Sequence, residues 1–332
     1  MRRSFLAGLA ACLLATGATP ASTAAYVDET PTVRLMAVGD VMLGWEVGRR
    51  IVRNGPAWPW RGVQGYFDAA DLVVGNLECV IARGGEKWPT KRVHLRAPLR
   101  ATQSLVAAGF DVVSVANNHS FDFGAGPFLS TLARLDANGV RHAGGGVDAG
   151  AARDAEVVSA NGLKIAFLGY LLPMALRPDF HSSEWQATDS TPGLAIGTPA
   201  AVAEDVALAR QFADLVIVMV HGGRELRSEP DSAQRGFAQA AVDAGAALVL
   251  GHHPHVLQGY TAAGSSLIAY SLGNFVFSRF DGAANDSAIL DVTLSEDGVQ
   301  SFRFIPVAVQ NGVPRPAVGA EVDRIQARLQ PI

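Results

Sequence analysis

This chain has almost no thiol chemistry. Of 332 residues only two are cysteines, Cys12 and Cys79, and Cys12 lies in a segment that reads as a removable leader. The mature chain therefore has no partner for an internal disulfide and must stand on its core alone. Cys79 has no histidine beside it in sequence, which argues against a thiol nucleophile. Lysine is nearly missing as well, with Lys87, Lys91 and Lys164 the whole set; we read that as genome composition rather than physics. Charged residues make up 17% and the net charge is −4, a balance that gives no global attraction to nucleic acid or to anionic membranes. No serine stands in a nucleophile-elbow pattern and no dinucleotide fingerprint occurs. What remains is a chain that is 49% hydrophobic, long enough to bury a sizeable core in one large domain or two smaller ones.

Residues 1–25 read as an export signal. Arg2 and Arg3 form a basic start, Phe5 to Ala18 an apolar run, and Ala21 to Ala25 a small-residue cleavage region before Tyr26. The stretch is too short and too promptly cleavable to favour a membrane span. Arg2-Arg3-Ser4-Phe5-Leu6 resembles a twin-arginine signal, and the general export route stays open beside it. Leu9-Ala10-Ala11-Cys12 mimics a lipoprotein box, but the apolar run continues past Cys12 through Leu14, which favours simple cleavage. The expected location is outside the cytoplasm: periplasmic, secreted or associated with the cell envelope.

Short runs rich in Val, Ile and Leu alternate with longer amphipathic segments. Strands are predicted at Val33–Val38, Leu72–Gly75, Asp111–Val115, Leu163–Gly169, Leu215–Val220 and Ala247–Leu250. Helices are predicted at Pro98–Ala108, Pro127–Asn138, Pro199–Phe212 and Ser232–Ala244, with prolines in first turns and Gly109, Gly139 and Gly245 at the stops. The repeat strand–helix–strand means an α/β fold with a parallel sheet and helices outside. Later runs at Val256–Tyr260, Leu267–Tyr270, Ala288–Leu294 and Val299–Val309 have turns and no long helices between them. They predict a second, mostly antiparallel sheet packed on the first. Leu171–Gly197 lacks periodicity and reads as a long loop over a site. A helix-like stretch from Val322 to Leu329 closes the chain.

Five distant stretches carry groups that bind hard cations: Gly39-Asp40, Gly75 to Glu78, Asn117-Asn118-His119, His221 to Gly223, and His252 to His255. Five of the eight histidines lie in them. Most follow directly on a predicted strand, and in open parallel sheets ligands gather at strand carboxyl ends. The economical reading is that the strand ends converge on metal. Each stretch also has a plainer role: Asp40 as a helix cap, Glu78 as a solvated glutamate, Asn117-Asn118 as an Asx-bonded turn. His119 suits proton transfer to a leaving group, with Asp122 three residues on to orient its other nitrogen or to cap the next helix. Gly222-Gly223 would let a ligand approach the backbone, and Glu225 is read as supporting the site. In an extended loop His253 and His255 share a face while His252 points elsewhere. Lys87–Arg100 reads either as a rim for an anionic substrate or as a solvated hairpin. Ser271 to Phe275 bears glycine but is no phosphate loop.

Taken in order, Gly39-Asp40, Gly75 to Glu78, Ala116 to His119 with Asp122 and Gly124, His221 with Gly223 and Glu225, Gly251 to His255, and Tyr270 to Phe275 resemble the bacterial CapA family of poly-γ-glutamate capsule synthesis proteins. That family is similar to the calcineurin-like metallophosphatases. The likeness runs from about Val33 to Phe277. It implies a four-layer α/β/β/α sandwich, two packed mixed sheets flanked by helices, over residues 30–312, with 313–332 as a tail. It implies metal ligation by Asp40, Glu78 as the bridging carboxylate, Asn118, His221, His253 and His255. His119 and Asp122 would be catalytic, and Asn117, Glu225 and His252 would face the substrate. The cofactor expected is one or two divalent ions, Mn²⁺, Fe, Zn²⁺ or Mg²⁺, since mixed N/O ligation favours these over Ca²⁺. Three positions depart from the pattern. Met42 stands where metallophosphatases usually have a histidine ligand, and Gly222 and Leu226 replace the family's tryptophan and tyrosine.

The resemblance implies a metal-dependent hydrolase, phosphoesterase-like, acting on a small phosphoester or an anionic polymer through a metal-activated water. The alternative is a non-catalytic factor that binds the polymer, or membrane proteins of capsule synthesis, around a structural or vestigial metal site. A nucleic-acid partner is not expected.

Overall fold

Period-two alternation sets the layers. The computed structural model describes residues 30–177 and 180–332, so the leader reading of 1–25 falls outside the described residues. Along β1 (Val33–Val41), Leu35 and Ala37 enter one buried cluster while Met36 and Val38 enter another. In β6 (Leu163–Leu171) and β7 (Leu215–His221), Ile165, Phe167, Ile217 and Met219 join that first cluster. Ala166, Leu168, Val216 and Val218 join a third. A strand buried on both faces belongs to a sheet covered on both sides.

Two mixed sheets result. The first runs β14 (Val313–Pro316), β13 (Gly298–Gln310), β12 (Asp286–Ser295), β1, β2 (Leu72–Leu77), β3 (Val112–Ser114) and β4 (Arg141–Ala143), and a short β11 (Asn274–Val276) also pairs with β1. The second runs β9 (Tyr260–Ala263), β10 (Ser266–Ala269), β8 (Leu248–His252), β7, β6 and β5 (Glu156–Ala160). Helices α1 (Trp45–Asn54), α2 (Ala101–Ala108) and α3 (Ala125–Asp136) supply Val47, Ile51, Leu105 and Leu132 to the outer face of the first sheet. Helices α4 (Pro199–Ala209) and α5 (Ser232–Asp243) cover the second with Val202, Val206, Phe237 and Ala241. This is the four-layer α/β/β/α sandwich of the metallophosphatase type.

The caps follow the residues. Thr198 accepts from the Ala201 N–H ahead of Pro199, and Asp231 forms a capping box with Gln234. Gly109 ends α2 in the left-handed conformation at φ 84°.

The expectations for the last third of the chain are corrected. The late strands do not make a mostly antiparallel sheet of their own. β12 pairs antiparallel with β1 and carries β13 and β14 onto the first sheet, while β10 pairs parallel with β8 in the second. The reason is visible in β12, where Leu290, Val292 and Leu294 face the inter-sheet core and Ile289 the helix side. Such a strand needs layers already in place on both faces. The expected strand over Val256–Tyr260 starts only at Tyr260. Residues 313–332, read as a tail, are tied in. α6 (Ala320–Gln326) holds Asp286 through Arg324 at 2.7 Å, and Tyr260 N–H donates to the Gln330 carbonyl at 3.1 Å.

Candidate metal centre

The parallel strands end on one side, and there the polar stretches meet. Asp40, Glu78, Asn118, His221, His253 and His255 are all buried. Asn76 Nδ2 donates to Asp40 Oδ1 at 2.8 Å and lies 3.2 Å from His221 Nδ1. His221 Nε2 stands 2.9 Å from Asn118 Oδ1. His255 Nδ1 lies 3.2 Å from Asp40 Oδ2, and its Nε2 lies 3.7 Å from Glu78 Oε1. The His253 and His221 ring centres are 4.8 Å apart. The loop after β8 places these rings by turning twice into left-handed backbone, at His253 (φ 94°) and His255 (φ 59°). Such conformations cost about 1–3 kcal/mol each for residues other than glycine and gather at functional sites.

The donor set fits divalent ions. Donor atoms of Asp40, Glu78 and His221 lie within 4.8 Å of one another, and those of Glu225, His253 and His255 do likewise. Both Glu78 oxygens, both His252 nitrogens and His253 Nδ1 are buried without a hydrogen-bond partner. Each such group costs about 1–3 kcal/mol when unsatisfied, and a cation between them would satisfy the carboxylate and the imidazole lone pairs together. Burial, reinforced by the charges of Asp40 and Glu225, raises the Glu78 carboxyl well above its usual range. Burial also pushes Asp40 up, but His255, His252 and Asn76 outweigh it and hold that carboxyl below its ordinary value. Burial depresses His221 strongly, His252 to about 4 and His253 to about 3, so these rings are neutral and present lone pairs. His255 is raised, because its bonds to Asp40 outweigh burial.

His119 Nδ1 lies 2.6 Å from Asp122 Oδ2, and its Nε2 points toward Glu78 Oε1 at 3.9 Å. Burial lowers the ring to about 4 against the pull of Asp122. Lys91 is a component that the sequence reading passed over. Its ammonium bonds Asp122 Oδ1 and the Asn118 carbonyl, and it lies 3.3 Å from His119 Nδ1 and 4.8 Å from the Trp185 ring centre. The Lys87–Arg100 segment therefore contributes a buried cation as well as the exposed Arg92. A cleft of about 350 Å³ opens over His119 and His253, bounded by Lys91, Arg92, Phe180 and Glu225. Met174 and Phe180 bring the aperiodic 171–197 segment over it.

Three expectations change. Asn117 is spent inside the protein rather than on a substrate. It donates to Asn76 Oδ1 (3.0 Å) and the Leu77 carbonyl (2.8 Å) and accepts from the His119 N–H (3.0 Å). His252 is fully buried, with Nδ1 3.6 Å from Asp40 Oδ1, and does not line the cleft. Gly222 makes room for Leu172 rather than for a ligand, since a Cβ there would come within 2.6 Å of its Cγ. Met42 turns into the helix-side core, its sulfur 3.1 Å from the Gly44 N–H. Cys79 is buried with its thiol pushed up to about 12, which excludes a thiolate nucleophile.

Acid will unfold the metal-free protein by a route these rings set. His119, His221, His252 and His253 have folded values below 6.5. Below pH 6.5 the unfolded chain takes up protons that the folded one refuses, so stability falls as pH drops toward about 4. Urea midpoints of chelator-treated protein at pH 7, 6 and 5 check this, and a flat series contradicts it.

A four-layer sandwich of metallophosphatase type, with carboxylate, amide and imidazole donors gathered at its strand ends, sets the class of fold to which this protein belongs. Within that class the chain belongs to the bacterial capsule synthesis protein family (PGA_cap), whose pattern matches residues 34–279. It is 31% identical to the capsule biosynthesis protein CapA of Bacillus anthracis, over 91% of this chain and 74% of that protein. It is 30% identical to the PGA biosynthesis protein CapA of Bacillus subtilis, over 87% and 77% respectively. Among solved structures, a hypothetical protein from Thermus thermophilus superposes with a TM-score of 0.50 at 18% identity, over 85% of this chain and all of that one. That likeness concerns the fold.

Proposed function

We propose that this protein acts outside the cytoplasm in capsule or poly-γ-glutamate synthesis, as a metal-dependent hydrolase of an anionic polymer or a phosphoester. The observation that carries the reading is Glu78, a fully buried carboxylate with both oxygens unpartnered between Asp40, His119 and His255. Asp40, Glu78, Asn118, His221, His253 and His255 would hold one or two ions of Mn²⁺, Fe, Zn²⁺ or Mg²⁺. Bound there, such ions lower the pKa of a coordinated water and stabilise charge on a transferring group.

The chain's own residues supply the rest. Asp122 fixes the His119 ring so that Nε2 faces the cleft, and Lys91 fixes Asp122. With its Nδ1 on Asp122 and its ring neutral, His119 would present the Nε2 lone pair to the cleft, taking a proton from the attacking water and returning it to the leaving oxygen. Arg92 and Arg224, both exposed at the mouth, attract an anionic substrate, and Phe180 and Met174 limit water. The apparent export signal agrees with action on a polymer at the cell envelope, beside membrane proteins of its synthesis.

The test is metal analysis of the purified protein, followed by turnover of phosphodiester, phosphomonoester and poly-γ-glutamate with Mn²⁺. His119→Ala should lower turnover about 10²–10⁴-fold while metal content stays unchanged. Bound metal with no turnover on any of the three sinks the hydrolase and leaves a polymer-binding factor.

A further inference from the structure

Met42 offers no hard donor beside Asp40, its sulfur turned to the Gly44 N–H, and one neighbouring residue stands where such a donor could be supplied. Asn274 begins β11, which runs parallel to β1 with Asn274 directly opposite Asp40. The strands come this close because Gly39 has no side chain: a Cβ there would lie 1.9 Å from the Gly273 carbonyl oxygen. That oxygen accepts the Asp40 N–H at 2.9 Å. The Asn274 side chain is fully buried. Its Nδ2 donates to the Ala284 carbonyl at 3.0 Å, which turns Oδ1 toward the centre, 2.9 Å from His255 Nδ1. Asp40 Oδ2 is 3.2 Å from the same nitrogen.

We infer that Asn274 Oδ1 is a metal ligand, completing with Asp40, Glu78 and His255 the position that residue 42 does not serve. The inference rests on the metal-site reading proposed above. Donor atoms about 2.1 Å from one ion, at angles between square and tetrahedral, stand roughly 3.0–3.4 Å from each other. The 3.2 Å spacing of Asp40 Oδ2 from His255 Nδ1 is of that size, and the 2.9 Å spacing of Asn274 Oδ1 falls just short of it. An amide oxygen in place of an imidazole makes the position harder, favouring Mn²⁺ or Mg²⁺ over Zn²⁺ there. Two rivals are specific. Asn274 could act only as acceptor for a His255 Nδ1–H, orienting the ring, or His252, unpartnered 3.6 Å from Asp40 Oδ1, could take the position instead.

A crystal of the wild-type protein grown with Mn²⁺, with anomalous differences locating the ions, separates these. The expected result is an ion near Asp40 with Asn274 Oδ1 about 2.0–2.4 Å away. In solution, Asn274→Ala should lose that ion by equilibrium dialysis and keep the one held by Asn118 and His221, while Asn274→Asp restores two. An ion near Asp40 with Asn274 Oδ1 beyond about 3 Å, or with His252 bound instead, overturns the assignment and leaves the metal centre standing. Wild-type protein that takes up no Mn²⁺ overturns both.

Discussion

Replacing Glu78 by glutamine will abolish metal retention and, in the same protein, stabilise the metal-free state. The two effects share one cause. Glu78 is a buried carboxylate that no protein donor satisfies, with its ionisation opposed by burial, Asp40 and Glu225. In the metal-free protein that is a liability, and a neutral isostere should gain on the order of 1 kcal/mol or more. With Mn²⁺ the order reverses, because only the wild type gains binding energy on folding, about 2.7 kcal/mol at a hundredfold excess over the dissociation constant. Urea unfolding of both proteins, with chelator and with Mn²⁺, gives the comparison. The gap between them without metal should widen as pH rises above 4.5, because the folded wild type holds its Glu78 proton after the unfolded chain has released it. Equal metal-free stabilities, or an unchanged response to Mn²⁺, would remove Glu78 from the centre.

The second large effect belongs to Lys91. Its ammonium is buried between Asp122, the Asn118 carbonyl and two aromatic rings, and Asp122 is itself fully buried. Burial alone raises the Asp122 carboxyl, and the contacts with His119 and Lys91 bring it below its usual value. Lys91→Met leaves that carboxylate with the His119 ring and the Leu95 N–H as partners. Removing one member of a buried pair costs about 3–5 kcal/mol. The loss should be recovered in part by a second change, Asp122→Asn, which no longer needs a cation. A cycle in which the two substitutions simply add would show that the pair contributes nothing.

The convergence of the polar stretches was legible in the sequence because they sit at the ends of Val-, Ile- and Leu-rich strands, where a rule about parallel sheets predicts that they meet. Residues acting through the backbone or through long-range pairing were not legible. Asn117 reads as a surface-facing amide until its side-chain partners, among them Asn76 and the Leu77 carbonyl, are known. Lys91 sits in a polar segment like any solvated lysine, and only Phe180 and Trp185 folding over it make it interior. Asn274 is brought beside Asp40 by a strand pairing across more than two hundred residues. The fate of 286–316 failed in the same way. Turn-separated hydrophobic runs announce antiparallel strands, but which sheet receives them depends on the open edge of β1.

The donors come from both sheets: Asp40, Glu78 and Asn118 follow strands of one, His221, His253 and His255 those of the other. An ion held between them would be a rivet through two plates whose facing surfaces are mostly apolar, with the Arg141–Glu156 ion pair at another edge. Chelation should therefore unfasten one rim of the sandwich first. Amide exchange would accelerate in 117–122, 221–226 and 252–257, while the middle of β1 and β7 stays protected until the whole molecule opens.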